Sequence, residues 1–97
     1  MITGKTKSGF EFTVPERLDK DFRFLLAFKK CKSGDEEEAM IGAIELISAV
    51  FVKESEVERL YEHVASQHGG RIPTDVLMAE INEIIEICSK KVQSVKN

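Results

Sequence analysis

The apolar residues of this chain change their period once, early. Between Ile2 and Val14 they alternate with polar ones: Ile2-Thr3-Gly4-Lys5-Thr6 and Phe10-Glu11-Phe12-Thr13-Val14 flank the turn signal Lys7-Ser8-Gly9. That pattern predicts a β-hairpin with Phe10, Phe12 and Val14 on one face. Two strands alone are marginal in water, so this face has to lie on the helices that follow or pair with another chain. Pro15 removes a backbone donor and ends the second strand.

From Glu16 onward the spacing is helical. Leu18, Phe22, Leu25 and Leu26, widened by Phe24 and Phe28, predict a first helix over 16–32. Lys29, Lys30 and Lys32 oppose the negative end of its dipole, and Ser33-Gly34 stops it. Asp35 with Glu38 is an acidic capping box that opens a second helix over 36–52. This helix is apolar nearly all round, through Met40, Ile41, Ile44, Leu46, Ile47, Val50 and Phe51, as expected of a helix that is central or part of an interface. Ser55 with Glu58 forms a capping box for a third helix carrying Val57, Leu60, Tyr61 and Val64, and Gly69-Gly70 ends it. Pro73 and Thr74 start a fourth, whose stripe is Leu77, Ile81, Ile84, Ile85 and Cys88 while Glu80, Glu83 and Glu86 face outward. Lys90 and Lys91 close it, and Gln93 to Asn97 lack apolar periodicity. The expected architecture is mainly α: a four-helix domain with a short N-terminal β-hairpin over residues 1–92, and a flexible tail over 93–97.

Length and charge narrow the possibilities. Ninety-seven residues, 42% hydrophobic and 32% charged, suit one domain with a modest core and exclude a multidomain enzyme. A net charge of −3 offers no general attraction to phosphate backbones, so nucleic acid is not an expected partner. The apolar stretch Ala39 to Val52 contains Glu45 and Ser48 and is shorter than the roughly 20 residues of a membrane span, so no membrane is expected either. Cys31 and Cys88 lie far apart behind a start without a hydrophobic signal segment, which points to a reducing cytoplasm.

Candidate chemistry is sparse. His63 and His68, five apart with no Glu between them, do not have metal-ligand spacing and read as surface histidines at a helix end. Cys31 sits among Lys29, Lys30 and Lys32, which would lower a thiol pKa, but no partner His is near in sequence, and Cys88 continues a core stripe. Gly69-Gly70-Arg71 reads as a helix C-cap, since a phosphate loop leads from a strand into a helix. No catalytic residue, metal or cofactor is expected. What stands out is surplus apolarity: six Phe, a nearly all-apolar second helix and a hairpin with no cover of its own. Phe10, Phe12, Ala39, Met40, Ala43, Ile47 and Phe51 are the candidate surface for a partner or for self-association. Ala39 and Ala43, four apart, would permit close helix approach, so a homo-oligomer is expected through the second helix or the hairpin edge.

Taken in order, Ile-x-Gly-Lys-Thr, Ser-Gly-Phe-Glu-Phe-x-Val, Leu18-Asp19-Lys20-Asp21-Phe22, Leu60-Tyr61-Glu62-His63, Gly70-Arg71-Ile72-Pro73 and Glu80-Ile81-x-Glu83-Ile84 span nearly the whole chain. This series resembles the tail assembly chaperones of long-tailed (siphovirus-type) bacteriophages and prophages of Gram-positive bacteria. The resemblance implies a non-enzymatic factor of the bacterial host cytoplasm. Such a factor would bind the tape measure protein, keep that long helical chain soluble and help recruit tail tube subunits. It also implies a minority product extended by ribosomal frameshifting near Lys90-Lys91. The alternative is a small helical regulatory or adaptor domain of a prophage, including one that touches DNA. A basic recognition helix would favour that alternative, and the glutamates of the third and fourth helices argue against it.

Overall fold

The computed structural model describes residues 1–16 and 18–96, with the side chains at 19 and from 91 onward left out of the description. The described residues form an antiparallel hairpin, a 3-10 turn and four α-helices, so the chain is mainly helical with a short N-terminal hairpin. Strand β1 (Ile2–Lys5) pairs with β2 (Glu11–Val14) in the register Ile2 to Val14 and Gly4 to Phe12. The turn closes through Gly9 N–H donating to the Thr6 carbonyl at 3.0 Å, with Gly9 at φ +98, where a side chain would be strained. As the alternation predicts, Phe10, Phe12 and Val14 are all buried.

Helix α1 (Phe22–Cys31) is shorter than its apolar spacing predicts. Leu18 keeps the helical interval to Phe22 and is buried, but Leu18–Lys20 is a 3-10 turn. The Asp21 carboxylate then accepts from Arg23 N–H at 2.9 Å and Phe24 N–H at 3.4 Å, so this side chain caps the helix and fixes its start. Helix α2 (Glu36–Phe51) begins where expected, with Asp35 as N-cap accepting from Glu37 N–H at 3.0 Å. Helix α3 (Glu54–Gln67) starts a residue earlier than its expected cap. Lys53 occupies the cap position and makes no side-chain bond there, while Ser55 is already inside the first turn. At its far end Gly69 and Gly70 take positive φ, and Gly70 N–H donates to the Ala65 carbonyl at 2.8 Å, the αL glycine cap expected there. Helix α4 (Thr74–Lys96) continues in backbone terms past Val92, into the segment expected as a tail, whose side chains lie outside the described residues.

The core unites both faces of the design. Phe10 and Phe12 of the hairpin meet Leu46, Ile47, Val50 and Phe51 of α2, Leu60 and Val64 of α3 and Ile81 and Ile84 of α4 in one buried cluster. The hairpin therefore lies on the helices and needs no second chain to cover its apolar side. α1 and α2, joined by the short segment after Cys31, pack antiparallel along most of their length. Their closest approach is at Gly42, where an added Cβ would stand 2.5 Å from Lys30 Cβ and 2.8 Å from the Cys31 amide nitrogen. Backbone lies against backbone here, which only glycine permits.

Gly42→Leu should therefore lower the unfolding free energy by about 2–3 kcal/mol in urea titrations, because neither backbone can retreat without opening the core. Gly34→Ala, in open space in the α1–α2 connection, should change it by no more than about 0.5 kcal/mol.

Candidate docking face

Helix α1 carries apolar residues on two sides. Phe24 and Ala27 face the core, with Phe28 half-buried beside them. Phe22, Leu25 and Leu26, related by i, i+3 and i+4, face water on the other side, Phe22 at 74% exposure. Helix α2 is divided in the same way. Gly42, Ala43, Leu46, Ile47, Val50 and Phe51 are buried, while Met40, Ile41 and Ile44 share the outer side, Ile44 at 59% exposure.

The two outer sides meet along the α1–α2 seam. Leu26 of α1 and Ile44 and Val52 of α2 and its end wall a shallow groove floored by Ala27 and Ala49. Charges stand at its rim: Asp21, Arg23 and Glu45, with Glu45 Oε1 held by Lys30 Nζ at 2.8 Å across the seam. Leu26, Ile44 and Val52 line this groove, and Phe22, Leu25, Met40 and Ile41 are further solvent-exposed apolar side chains of the same two helices.

Val52 adds a second peculiarity to this face. It is 66% exposed and holds φ +66, ψ −46, with Lys53 N–H donating back to the Phe51 carbonyl at 2.7 Å in a tight three-residue turn. A β-branched residue in that region is sterically strained. The turn is what lets α3 start immediately after α2.

Most of the residues expected to form the contact surface lie elsewhere. Phe10, Phe12, Ala43, Ile47 and Phe51 are buried in the chain's own core, Ala39 is half-buried, and Met40 alone of the seven is fully on the surface. The physical reason is that the hairpin folds over α2 and consumes its inner side. The large apolar residues left exposed instead include Phe22, Leu25, Leu26, Ile41, Ile44 and Val52, and for the three of α1 the sequence carries a signal: its stripe is too wide for one helix to bury on one side.

A second cluster lies at the other end of the hairpin, and it overturns the outward placement of Glu80. That residue is only 7% exposed, and its Oε1 accepts from Ser8 Oγ at 2.5 Å. His63 Nε2 and Thr6 Oγ1 approach the same Ser8 oxygen at 3.0 Å and 3.1 Å. Because the single hydroxyl proton goes to Glu80, His63 and Thr6 are left as donors to Ser8. A nucleophilic serine needs the opposite polarity, with histidine receiving the proton. The neighbouring Glu83 carboxylate accepts from Lys7 N–H at 2.8 Å, and Gln67 Nε2 donates to the Ser8 carbonyl at 3.2 Å. Together these bonds fasten the hairpin turn to α3 and α4. Glu80 Oε2 is buried and has no partner among the described residues. His63 is thus more than a surface residue, since its ring also lies 5.3 Å from that of Phe10.

The remaining candidates have local roles. Burial pushes the Cys31 thiol up from its ordinary value, against the lowering expected from the lysines. Two of those lysines are engaged elsewhere, Lys30 with Glu45 and Lys32 over the Phe28 ring at 4.6 Å. Cys88 is buried on the α4 stripe. Among the described residues no group of three or more His, Cys, Asp or Glu is placed to hold a metal ion, and no helix is long and apolar enough to cross a membrane. No protein-family model, curated protein or solved structure matches this chain.

Two outcomes test these assignments. Ser8→Ala should cost about 1–3 kcal/mol by leaving the buried Glu80 carboxyl without a donor. Ser8→Ala combined with Glu80→Leu should cost less than the sum of the two single substitutions, as a double-mutant cycle in urea will show. At Val52, Val52→Gly should raise stability by about 1 kcal/mol, the left-handed strain relieved exceeding the added chain entropy. A loss of stability there would mean that the exposed valine side chain contributes packing.

Proposed function

We propose that this chain is a non-enzymatic tail assembly chaperone of a siphovirus-type phage or prophage, acting in the bacterial host cytoplasm. Its client is the tape measure protein, a long helical chain whose apolar stripes must be kept from aggregating until tail tube subunits assemble around it. The observation that carries this reading is the set of solvent-exposed apolar side chains on α1 and α2, Phe22, Leu25, Leu26, Met40, Ile41, Ile44 and Val52, of which Leu26, Ile44 and Val52 wall one groove. A groove between two helices, apolar in its walls and charged at its rim, suits the apolar side of an amphipathic helix. The ordered series of motifs from the hairpin to Glu80-Ile81-x-Glu83-Ile84 supports the same assignment through its resemblance to the family.

The mechanism requires no chemistry beyond burial. A client helix laid along the seam removes its own stripe and these side chains from water together, at roughly 25 cal/mol per Å² of apolar surface. The acidic first turn of α2, Glu36 to Glu38, and the rim charges keep the complex hydrated around the contact. Tail tube subunits would then meet a client held extended and soluble.

Co-expression tests this directly. A tape measure fragment from the same genome, insoluble alone, should move to the soluble fraction with the wild-type chain. Leu26→Asp and Ile44→Asp should abolish that rescue while leaving the circular-dichroism melt within about 0.5 kcal/mol of wild type, because both side chains are already about half exposed or more. Equal insolubility with and without the wild-type chain would refute the assignment.

A further inference from the structure

We propose that the joint at Val52 is a strained hinge through which α2 and α3 straighten into one helix, and that two copies of this chain then pair by exchanging α3 and α4. The exchange follows from the backbone at this joint and from the apolar register on either side of it, independently of the chaperone assignment above.

Nothing local asks the chain to bend where it does. From residue 43 to residue 68 there is no glycine, proline or asparagine, the residues that end helices most readily. Lys53 and Glu54, at the bend itself, are good helix formers. Helix α2 nevertheless stops at Phe51, and Val52 takes φ +66, where a β-branched side chain is strained. Beyond the bend, Lys53 gives α3 no side-chain cap. In a continuous helix Val52 would relax to the right-handed region, and the Val50 and Phe51 carbonyls would accept from the N–H groups of Glu54 and Ser55.

The apolar register points the same way. Ala43, Leu46, Val50, Val57, Leu60 and Val64 are all buried, and they follow one alternation of three and four residues that only Lys53 interrupts. A bend frees the second helix from the phase of the first, so two separate helices do not require a shared repeat. Straightened over 36–67, they carry these six side chains as a single stripe.

Straightening lifts α3 and α4 off the core and uncovers Leu46, Val50 and Phe51, which a lone copy cannot leave in water. The α3 and α4 of a second copy fit the vacated place, because they are the same residues. The contacts of these helices with the hairpin are then made between copies: Ser8 of one reaches Glu80 of the other, and the Phe10 ring meets the opposite His63. What separates the two forms is the joint, strained in each monomer and relaxed in both copies of the pair, set against the entropy of association. High concentration therefore favours exchange.

Refolding the full chain from urea tests this. At about 500 µM, near the effective concentration of a short intramolecular connection, a dimer should form, and at about 5 µM monomer should predominate in sedimentation velocity. In a dimer refolded from isotope-labelled and unlabelled chains, filtered NMR spectra should show Phe10–His63 contacts between copies. Val52→Gly should raise the dimer dissociation constant at least about tenfold, since glycine accepts the bend and weakens the continuous helix in both copies. Val52→Ala, which favours the helix, should still dimerise. Wild-type monomer at both concentrations, Phe10–His63 contacts confined to one copy, or a dimer indifferent to Val52→Gly would each overturn the proposal.

Discussion

The close approach of α1 to α2 at Gly42 sets the geometry on which the rest of the molecule depends. With no side chain at that position, the Lys30–Cys31 backbone lies directly on α2, and each of the two helices is left with one side turned to the core and one turned away. A larger residue would push α1 outward, opening the floor made by Ala27 and Ala49 and separating Leu26 from Ile44. The Lys30–Glu45 pair crosses the same seam, but at a half-exposed position it adds little beside the packing.

The apolar content of the chain divides accordingly. Four of its six phenylalanines, Phe10, Phe12, Phe24 and Phe51, are in the core, Phe28 lies partly against it, and Phe22 faces solvent. The hairpin makes this division possible, because it roofs the inner side of α2 and would otherwise need a partner itself. It is held in place from both directions. Phe12 lies over Gly4, which has no side chain to obstruct it, and the turn is tied to α3 and α4 through Ser8, His63 and Glu80. Burying a carboxyl whose Oε2 has no partner among the described residues is costly. The return is a hairpin fixed at its tip as well as along its strands.

Much of this architecture is legible in the residues alone. Alternation around Lys7-Ser8-Gly9 marks the hairpin, Asp35 marks the start of α2, and the pair Gly69-Gly70 marks the end of α3, since each is a local device whose partner atoms lie within a few residues. Errors arise where a second local device, or a distant contact, overrides the periodic signal. Leu18 keeps helical spacing to Phe22 although Asp21 restarts the helix, and Ser55-x-x-Glu58 looks like a cap although the tight turn at Val52 brings α3 in earlier. Glu80 reads as outward because nothing in α4 itself reveals that Ser8, 72 residues earlier, supplies a hydroxyl. The exposed apolar residues differ from those expected for a related reason. Sequence shows that α2 has more apolar surface than one core contact needs, but which side remains exposed depends on where the hairpin lands.

The central claim is that the exposed apolar side chains of α1 and α2 take a client helix. Methyl and amide NMR spectra of the chain titrated with a helical tape measure peptide test it most directly. The account predicts shifts concentrated on Leu25, Leu26, Ile41, Ile44 and Val52, with the Ile81 and Ile84 methyls and the hairpin amides unmoved. Shifts centred on the hairpin or on α4, with those five residues unchanged, would contradict it.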